Sequence, residues 1–310
     1  MAVKHDASYY AKCMLGGIYS CGITHTAITP LDNVKCNMQA YPAEYKNIGH
    51  GFKKIWGRGV GGGVTGITRG YLPTAIGYSM QGLCKFGFYE IFKDLYTKAV
   101  GPKYAYKLRT GLYLAASASA ELIADVALCP MESVKVRMQV APYHIEGTKP
   151  LTFRSANNMI TAEEGVKGYF KSIGPLWMRQ VPYTMVKFAC FERIVELFYT
   201  KWFTKPKDTY AKSTQLSITF ASGYIAGVFC AIVSHPADTV VSKLNQAKGG
   251  SVGTILKDLG FMGVWRGLAA RIIMIGTLTG LQWWIYDSFK TAHGMGTTGG
   301  TQAVAIEDEE

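Results

Sequence analysis

Six ionisable side chains stand where an apolar chain should not carry them: His25, Lys85, Glu121, Asp125, Arg179 and Lys187. A charge at the centre of a bilayer costs about 3 kcal/mol or more, so such groups mark a polar path before they mark anything else. Lys85 and Lys187 hold equivalent positions in two repeating units, where a third unit has Gln282. Gln81 lies one turn before Lys85, and Tyr78 three residues before that; Gln180, Tyr183 and Lys187 repeat the stripe. Positions i, i+3 and i+7 share one face of a helix. Arg179 adjoins the second stripe and shares a face with Tyr183. Two ammoniums, a guanidinium and amide or phenol donors form a cationic lining. It suits a small, highly charged oxyanion, because arginine offers a planar fork of donors and lysine a compact charge. A cationic or apolar solute would be poorly served. Tyr78, Gln81, Lys85, Arg179, Gln180, Tyr183 and Lys187 are therefore the expected substrate contacts.

The acids have a different placement. Glu121 and Asp125 are four residues apart and share a helix face. His25 aligns with Asp125 by the repeat offset, so the two are expected at similar depth on facing helices. Histidine titrates near neutral pH, and a neighbouring carboxylate moves that point. His25, Glu121 and Asp125 are accordingly the candidate proton carriers. The competing reading is a buried polar pair that holds two helices together.

A repeat positions these residues. Pro30-Leu31-Asp32-Asn33-Val34-Lys35 returns as Pro130-Met131-Glu132-Ser133-Val134-Lys135, and again as Pro236-Ala237-Asp238-Thr239-Val240-Val241 without the final base. Three copies spaced by about a hundred residues define an internal repeat. Arg69-Gly70, Lys171-Ser172 and Arg266-Gly267 open a second set of matching segments. Counted from them, Glu90, Glu192 and Asp287 coincide, each after an aromatic residue. Six apolar segments result, at 10–31, 72–92, 110–131, 174–198, 213–237 and 268–289, each about the 20 residues a spanning helix needs. Small residues, among them Gly16, Gly17, Gly22, Ser117, Ala118, Ala120, Gly223 and Gly227, would let membrane helices approach closely.

The expected fold is an all-α membrane protein: six transmembrane helices in three parallel repeats around a pseudo-threefold axis, with short surface helices between them. The repeats fall at 8–105, 106–208 and 209–293, followed by a disordered Gly/Thr-rich and acidic tail at 294–310. Pro30, Pro130 and Pro236 should bend the odd helices, because proline removes a helical hydrogen bond.

Composition narrows the function. Of 310 residues 17% are charged and 48% hydrophobic, with 35 glycines and a mean hydropathy of +0.08. That profile disfavours a soluble helical protein, whose helices glycine would weaken. The net charge of +12 comes from bases scattered singly between apolar runs. No dense basic patch or nucleic-acid motif accompanies it, so nucleic acid is not an expected partner. Lysine and arginine lie on both sides of the apolar segments and do not set an orientation. Met1–Tyr10 shows neither a secretory apolar core nor an arginine-rich transit pattern, so an organelle address is expected to be internal or missing from this sequence. The seven cysteines form no CxxC pair and read as buried small hydrophobes. Cys21 and Cys36, with Met38, are weak candidates for soft Cu(I). An enzyme or scaffold would need a nucleophile–base pair, a metal cluster or a nucleotide loop. Gly61-Gly62-Gly63 lacks the lysine and hydroxyl residue that complete a phosphate loop. No enzymatic activity and no cofactor are expected.

The proline with an acid two residues later, repeated three times with its base in two copies, and the aromatic–acid pairs on the even helices resemble the mitochondrial carrier family over nearly all of residues 10–290. Gly22-Ile23-Thr24-His25-Thr26, the run from Gly77 to Gly87, Leu128-Cys129-Pro130, Arg179-Gln180-Val181-Pro182-Tyr183 and Ser234-His235-Pro236-Ala237-Asp238 are similar to members that carry inorganic phosphate. The resemblance implies a multi-pass protein of the mitochondrial inner membrane that imports phosphate with a proton, or against hydroxide, by alternating access; a monomer is expected. A carrier of the same fold for copper, or for another small anion, is the alternative. The resemblance further implies that Asp32, Glu132 and Asp238 with Lys35 and Lys135 close the matrix side. Glu90, Glu192 and Asp287 with Lys93 and Lys290 would close the cytosolic side. Residue spacing alone leaves local i, i+3 pairing equally open. Val241 and Val195 replace one base in each ring, which suggests weaker closed states. Cardiolipin is the lipid partner the family implies. Arg69-Gly70 and Trp265-Arg266-Gly267 stand at anion-friendly helix starts.

Overall fold

The computed structural model describes residues 5–41, 44–45, 47–58, 61–140, 150–203, 205–246, 257, 260–261, 263–265 and 268–299. Among these residues all regular structure is helical. The elements are α1 (Ala7–Ala27), α2 (Thr29–Ala40), α3 (Ile48–Trp56), α4 (Gly63–Ile67), α5 (Tyr71–Val100), α6 (Pro102–Lys107), α7 (Arg109–Val140), α8 (Phe153–Phe170), α9 (Ile173–Lys201), α10 (Lys212–Gln246) and α11 (Leu268–Ala292). The long helices pack in chain order into a closed ring. α1 lies against α5, α5 against α7, α7 against α9, α9 against α10, α10 against α11, and α11 returns to α1.

Glycine sets the closest approaches. A Cβ on Gly17 would fall 2.1 Å from the Gly82 carbonyl oxygen, and one on Gly82 would fall 2.1 Å from that of Gly17. Between α10 and α11, a Cβ on Gly227 would lie 2.7 Å from the Gly276 Cα. Any side chain at these seams would push the ring apart.

The three prolines do not act alike. α1 ends at Ala27, Ile28 leaves helical geometry, and α2 restarts with Pro30 near its first turn. The Thr29 hydroxyl donates to the His25 carbonyl across the break, at 3.3 Å. Pro130 and Pro236 instead lie inside continuous helices, α7 and α10. Only the first repeat has its odd helix divided.

The distribution of polarity is reversed relative to a protein in water. Leu15, Tyr19 and Ile23 form an exposed stripe along α1, Leu72, Ile76 and Met80 another along α5, and Phe229 and Val233 face outward from α10. Lys85, Glu121, Asp125 and Lys187 are buried inside the ring. By composition alone, α7 and the stretch Lys212–Pro236 are apolar enough to be read as membrane spans. The other ring helices give up hydropathy to the polar residues they turn inward.

Short helices lie across the ends of α2 and α7. Ile55 of α3 packs with Val34 and Tyr45, and Ala156 and Ile160 of α8 pack with Val134 and Met138. The corresponding segment of the third repeat falls largely outside the described residues.

Of the expected tail, residues 300–310 lie outside the described residues. Residues 294–299 are ordered against the bundle, with Thr297 and Thr298 buried. The Thr298 amide and hydroxyl both donate to Asp287, the hydroxyl at 2.6 Å. Lys207 donates to the carbonyls of Thr297 and Gly299, each at 2.6 Å. Low hydrophobicity suggested disorder, but a buried carboxylate that needs donors holds this segment in place.

Candidate anion-binding cavity

The ring encloses a cavity of about 130 Å³. Tyr78, Gln81 and Lys85 of α5 face Arg179, Gln180, Tyr183 and Lys187 of α9 across it. His25, Asp32, Lys35, Arg271 and Gln282 complete the polar lining. All seven expected substrate contacts thus share one wall-to-wall space. Arg271 was not anticipated. It stands five residues after Arg266, as Thr74 stands five after Arg69, and Thr74 also lines the cavity. That register was the available signal. Arg271 donates to the Ser234 hydroxyl at 3.0 Å, tying α11 to α10.

The cavity reaches toward the proline end of the bundle, where Asp32 and Lys35 lie. On the other side an aromatic layer closes it. Phe191 stacks on Trp283 with ring centres 3.6 Å apart, and Phe86 stacks on Tyr286 at 4.2 Å. These rings, with Tyr89 and Phe188, follow Lys85, Lys187 and Gln282 along their helices and are fully buried.

The two lysines are balanced differently. Lys85, 4% exposed, pairs with Glu121 at 2.9 Å and donates to the Thr184 hydroxyl at 3.4 Å. Lys187, 2% exposed, makes no ion pair among the described residues and donates to the side-chain carbonyl of Gln282. A buried ammonium without a counter-charge costs on the order of several kcal/mol. An anion entering the cavity beside Arg179 would supply that counter-charge.

Glu121 and Asp125 lie behind the wall rather than on it, both fully buried. The Gln81 amide donates to Glu121 at 3.0 Å and to Asp125 at 3.2 Å. Among the described residues the second Asp125 oxygen has no hydrogen-bond partner. His25 does not join them. Its ring stacks on Tyr78, with centres 3.8 Å apart and planes 13° from parallel, and its Nε2 meets the Gln282 amide nitrogen at 3.0 Å. The repeat offset gave the depth of His25 but not its direction, and α5 separates it from the acids. Gln81 and Tyr78, one turn apart on that helix, are the link between the two groups.

Both ends carry charge networks. At the proline end, Lys135 reaches across from α7 to Asp32 at 2.7 Å and also holds its own Glu132 at 3.0 Å. Its ammonium lies 5.2 Å from the centre of the Tyr78 ring. The side chain of Asp238 lies outside the described residues. At the other end, which holds the start of α1 and the end of α11, Lys93 pairs with Glu90 at 2.9 Å and Glu192 at 3.5 Å. The Tyr89 hydroxyl donates to Glu192 at 3.1 Å. Among the described residues Asp287 takes no lysine partner there. It accepts from Thr219 and Thr298, while Lys290 donates to the Thr298 hydroxyl at 3.1 Å.

The remaining candidates fall elsewhere. Cys21, on α1, packs against Gly82, and Cys36 sits on α2, so the two thiols belong to separate surroundings. Arg69 is nearly buried and donates to the Gly61 carbonyl at 3.2 Å, so it braces the loop before α5. Arg266 and Gly267 lie outside the described residues.

Comparison with known proteins places this architecture. The mitochondrial carrier protein family model matches three stretches, residues 6–100, 106–202 and 212–295. Solute carrier family 25 member 3 from Homo sapiens is 58% identical over 282 residues, which is 91% of this chain and 76% of the relative. The phosphate carrier protein, mitochondrial, from Caenorhabditis elegans is 58% identical over 287 residues, 93% of this chain and 82% of the relative. Mitochondrial phosphate carrier protein 3 from Arabidopsis thaliana is 53% identical over 300 residues, 96% of this chain and 77% of the relative.

Proposed function

Because the chain belongs to the mitochondrial carrier family, we propose that it is a secondary transporter importing inorganic phosphate with a proton across the mitochondrial inner membrane. Two of the relatives compared above are named as phosphate carriers, which supports the substrate. The observation that carries the reading is Lys187. It is a buried ammonium inside a cavity with Arg179 and, among the described residues, has no carboxylate partner of its own, which suits a site completed by an anion.

The protein acts as a monomer, with the closed ring of helices forming three repeats of two spans each. Phosphate enters the cavity and takes its donors from Lys187, Arg179, Gln180 and Tyr183 on α9, and from Lys85, Gln81 and Tyr78 on α5. As Lys85 turns part of its charge to the anion, Glu121 loses part of its counter-charge. His25 on the near side of α5, and Glu121 with Asp125 on the far side, carry the proton that makes the cycle electroneutral. Access alternates by exchange of end contacts. Lys135 with Asp32 and Glu132, together with Lys35 and Asp238, forms the matrix-side gate. Lys93 with Glu90 and Glu192, and Asp287 with Lys290 and Thr298, forms the cytosolic one.

The test is uptake of labelled phosphate by the purified protein in proteoliposomes. An inward proton gradient should accelerate uptake strongly, and uptake indifferent to the gradient would reject the coupling.

A further inference from the structure

Gln282 stands where repeats one and two have lysines, and it touches both halves of the transport chemistry at once. Its side-chain carbonyl accepts from Lys187, and its amide nitrogen meets His25 Nε2 at 3.0 Å and the Thr24 hydroxyl at 3.3 Å. An amide nitrogen only donates, so the His25 Nε2 beside it accepts and carries no proton in this arrangement. Lys187 only donates, so it requires the carbonyl. The side chain is 2% exposed, and the Ser20 hydroxyl donates to the Gln282 backbone carbonyl at 2.6 Å, anchoring the residue between α1 and α9.

These requirements conflict once His25 gains a proton. A protonated Nε2 must donate, which calls for the Gln282 carbonyl that Lys187 already uses. We propose that Gln282 is the coupling residue of the carrier: its amide faces Lys187 with its carbonyl when His25 is neutral, and turns that carbonyl to His25 when the proton is taken up. The turn releases Lys187 for the anion. Run in the other direction, phosphate drawing Lys187 away frees the carbonyl, and His25 then binds a proton from cavity water. Each ligand thus favours the other, and the reciprocity is required by linkage. This rests on the phosphate–proton reading above.

The surroundings of His25 fit a site that needs help to take up charge. Lys187 on α9 and Lys85 on α5 share the cavity with His25, Lys135 on α7 lies 5.2 Å from the centre of the Tyr78 ring stacked on that histidine, and Asp32 on α2 is a carboxylate of the same lining. Lys35, Arg179 and Arg271 add positive charge along the same cavity, and Tyr78 covers one face of the ring. A bound phosphate reverses that balance, and the freed carbonyl supplies the specific acceptor.

The experiment compares wild type with Gln282→Met and Gln282→Glu in phosphate–phosphate exchange, with the same pH on both faces of the vesicle, at pH 6 and pH 8. Methionine keeps the volume and removes the amide; glutamate accepts from both partners and ends their competition. The readout is the ratio of KM at pH 8 to KM at pH 6. Phosphate's own protonation is common to all three proteins and cancels in the comparison. Both variants should show a ratio at least about fivefold smaller than wild type, the scale of a modest coupling free energy. Gln282→Asn, a shorter amide, should recover part of the ratio. A purely structural role would change KM or kcat equally at the two pH values, and an unchanged ratio overturns the proposal. Should the variants fail to fold, histidine-labelled wild-type protein decides by nitrogen NMR at constant pH. His25 Nε2 should be unprotonated without phosphate and protonated with it, and an Nε2 that ignores phosphate rejects the switch. Failure of the underlying reading looks different, because wild type itself would then show no gradient-driven phosphate uptake.

Discussion

At two levels of the bundle, repeats one and two use charged partners where repeat three uses neutral hydrogen bonds. At mid-height, Lys85 and Lys187 face Gln282. At the end opposite the prolines, Glu90 and Glu192 share Lys93, whereas Asp287 is satisfied by Thr219 and by the ordered residues after α11. A scaffold of three repeats has thus been made asymmetric at two levels on the same helix. Under the proposed function, the difference marks where the anion's charge would be received. Lys85, Arg179 and Lys187 stand on α5 and α9, whereas α11 contributes Arg271 and an amide, Gln282, that can serve either partner.

The comparison breaks most sharply at the two lysines. Lys187→Gln should cost about 2–5 kcal/mol of phosphate affinity, the loss expected when one partner of a desolvated charge pair is removed. The same change should leave thermal stability in phosphate-free buffer equal or higher, since no carboxylate loses its partner. Lys85→Gln should also impair uptake, and in addition should destabilise the fold by about 3–5 kcal/mol, because Glu121 is left buried without a counter-charge. Thermal unfolding of the two variants side by side separates a lysine reserved for ligand from one already paired. Equal stability losses would show that the asymmetry is only apparent.

A smaller effect is expected where repeat three uses hydrogen bonds. Thr298→Val removes a hydroxyl 2.6 Å from buried Asp287 and should cost about 1–3 kcal/mol. Faster hydrogen exchange near the end of α11, with little change at Glu90 and Lys93, would locate that loss in the third repeat alone.

The smallest effect concerns pH. Burial lowers the Lys207 pKa from 10.5 to about 8, in the segment between α9 and α10 that holds residues 297–299. Between those values the unfolded chain binds more protons than the folded one, so stability rises with pH across the window. Lys207→Met should flatten that rise in unfolding scans from pH 8 to pH 10.5, and a rise that persists would assign it elsewhere.

Helical periodicity made most of the cavity legible. The stripes Tyr78–Gln81–Lys85 and Gln180–Tyr183–Lys187 needed only the knowledge that i, i+3 and i+7 share a face, and they line one space. What periodicity along one chain cannot give is direction around a neighbouring helix. His25 and Asp125 match in repeat position, yet α5 stands between them, with Tyr78 stacked on the histidine and Gln81 bonded to the acid. The same limit concealed Arg271, whose equivalents Thr74 and Leu176 are uncharged and drew no notice. Residues 294–299 were obscured for a different reason. A Gly/Thr-rich segment buries little apolar surface, and its order comes from serving one carboxylate, Asp287, that lies several residues earlier in sequence.

The central claim, a cationic cavity that moves phosphate together with a proton, is tested most directly by charge bookkeeping during a single uptake. Labelled phosphate entering proteoliposomes would be recorded with internal pH and membrane potential. The account predicts that each dihydrogen phosphate arrives with about one proton and no net charge, and that Lys187→Gln abolishes both signals together. Phosphate entry that builds a membrane potential, with no matching internal acidification, would contradict it.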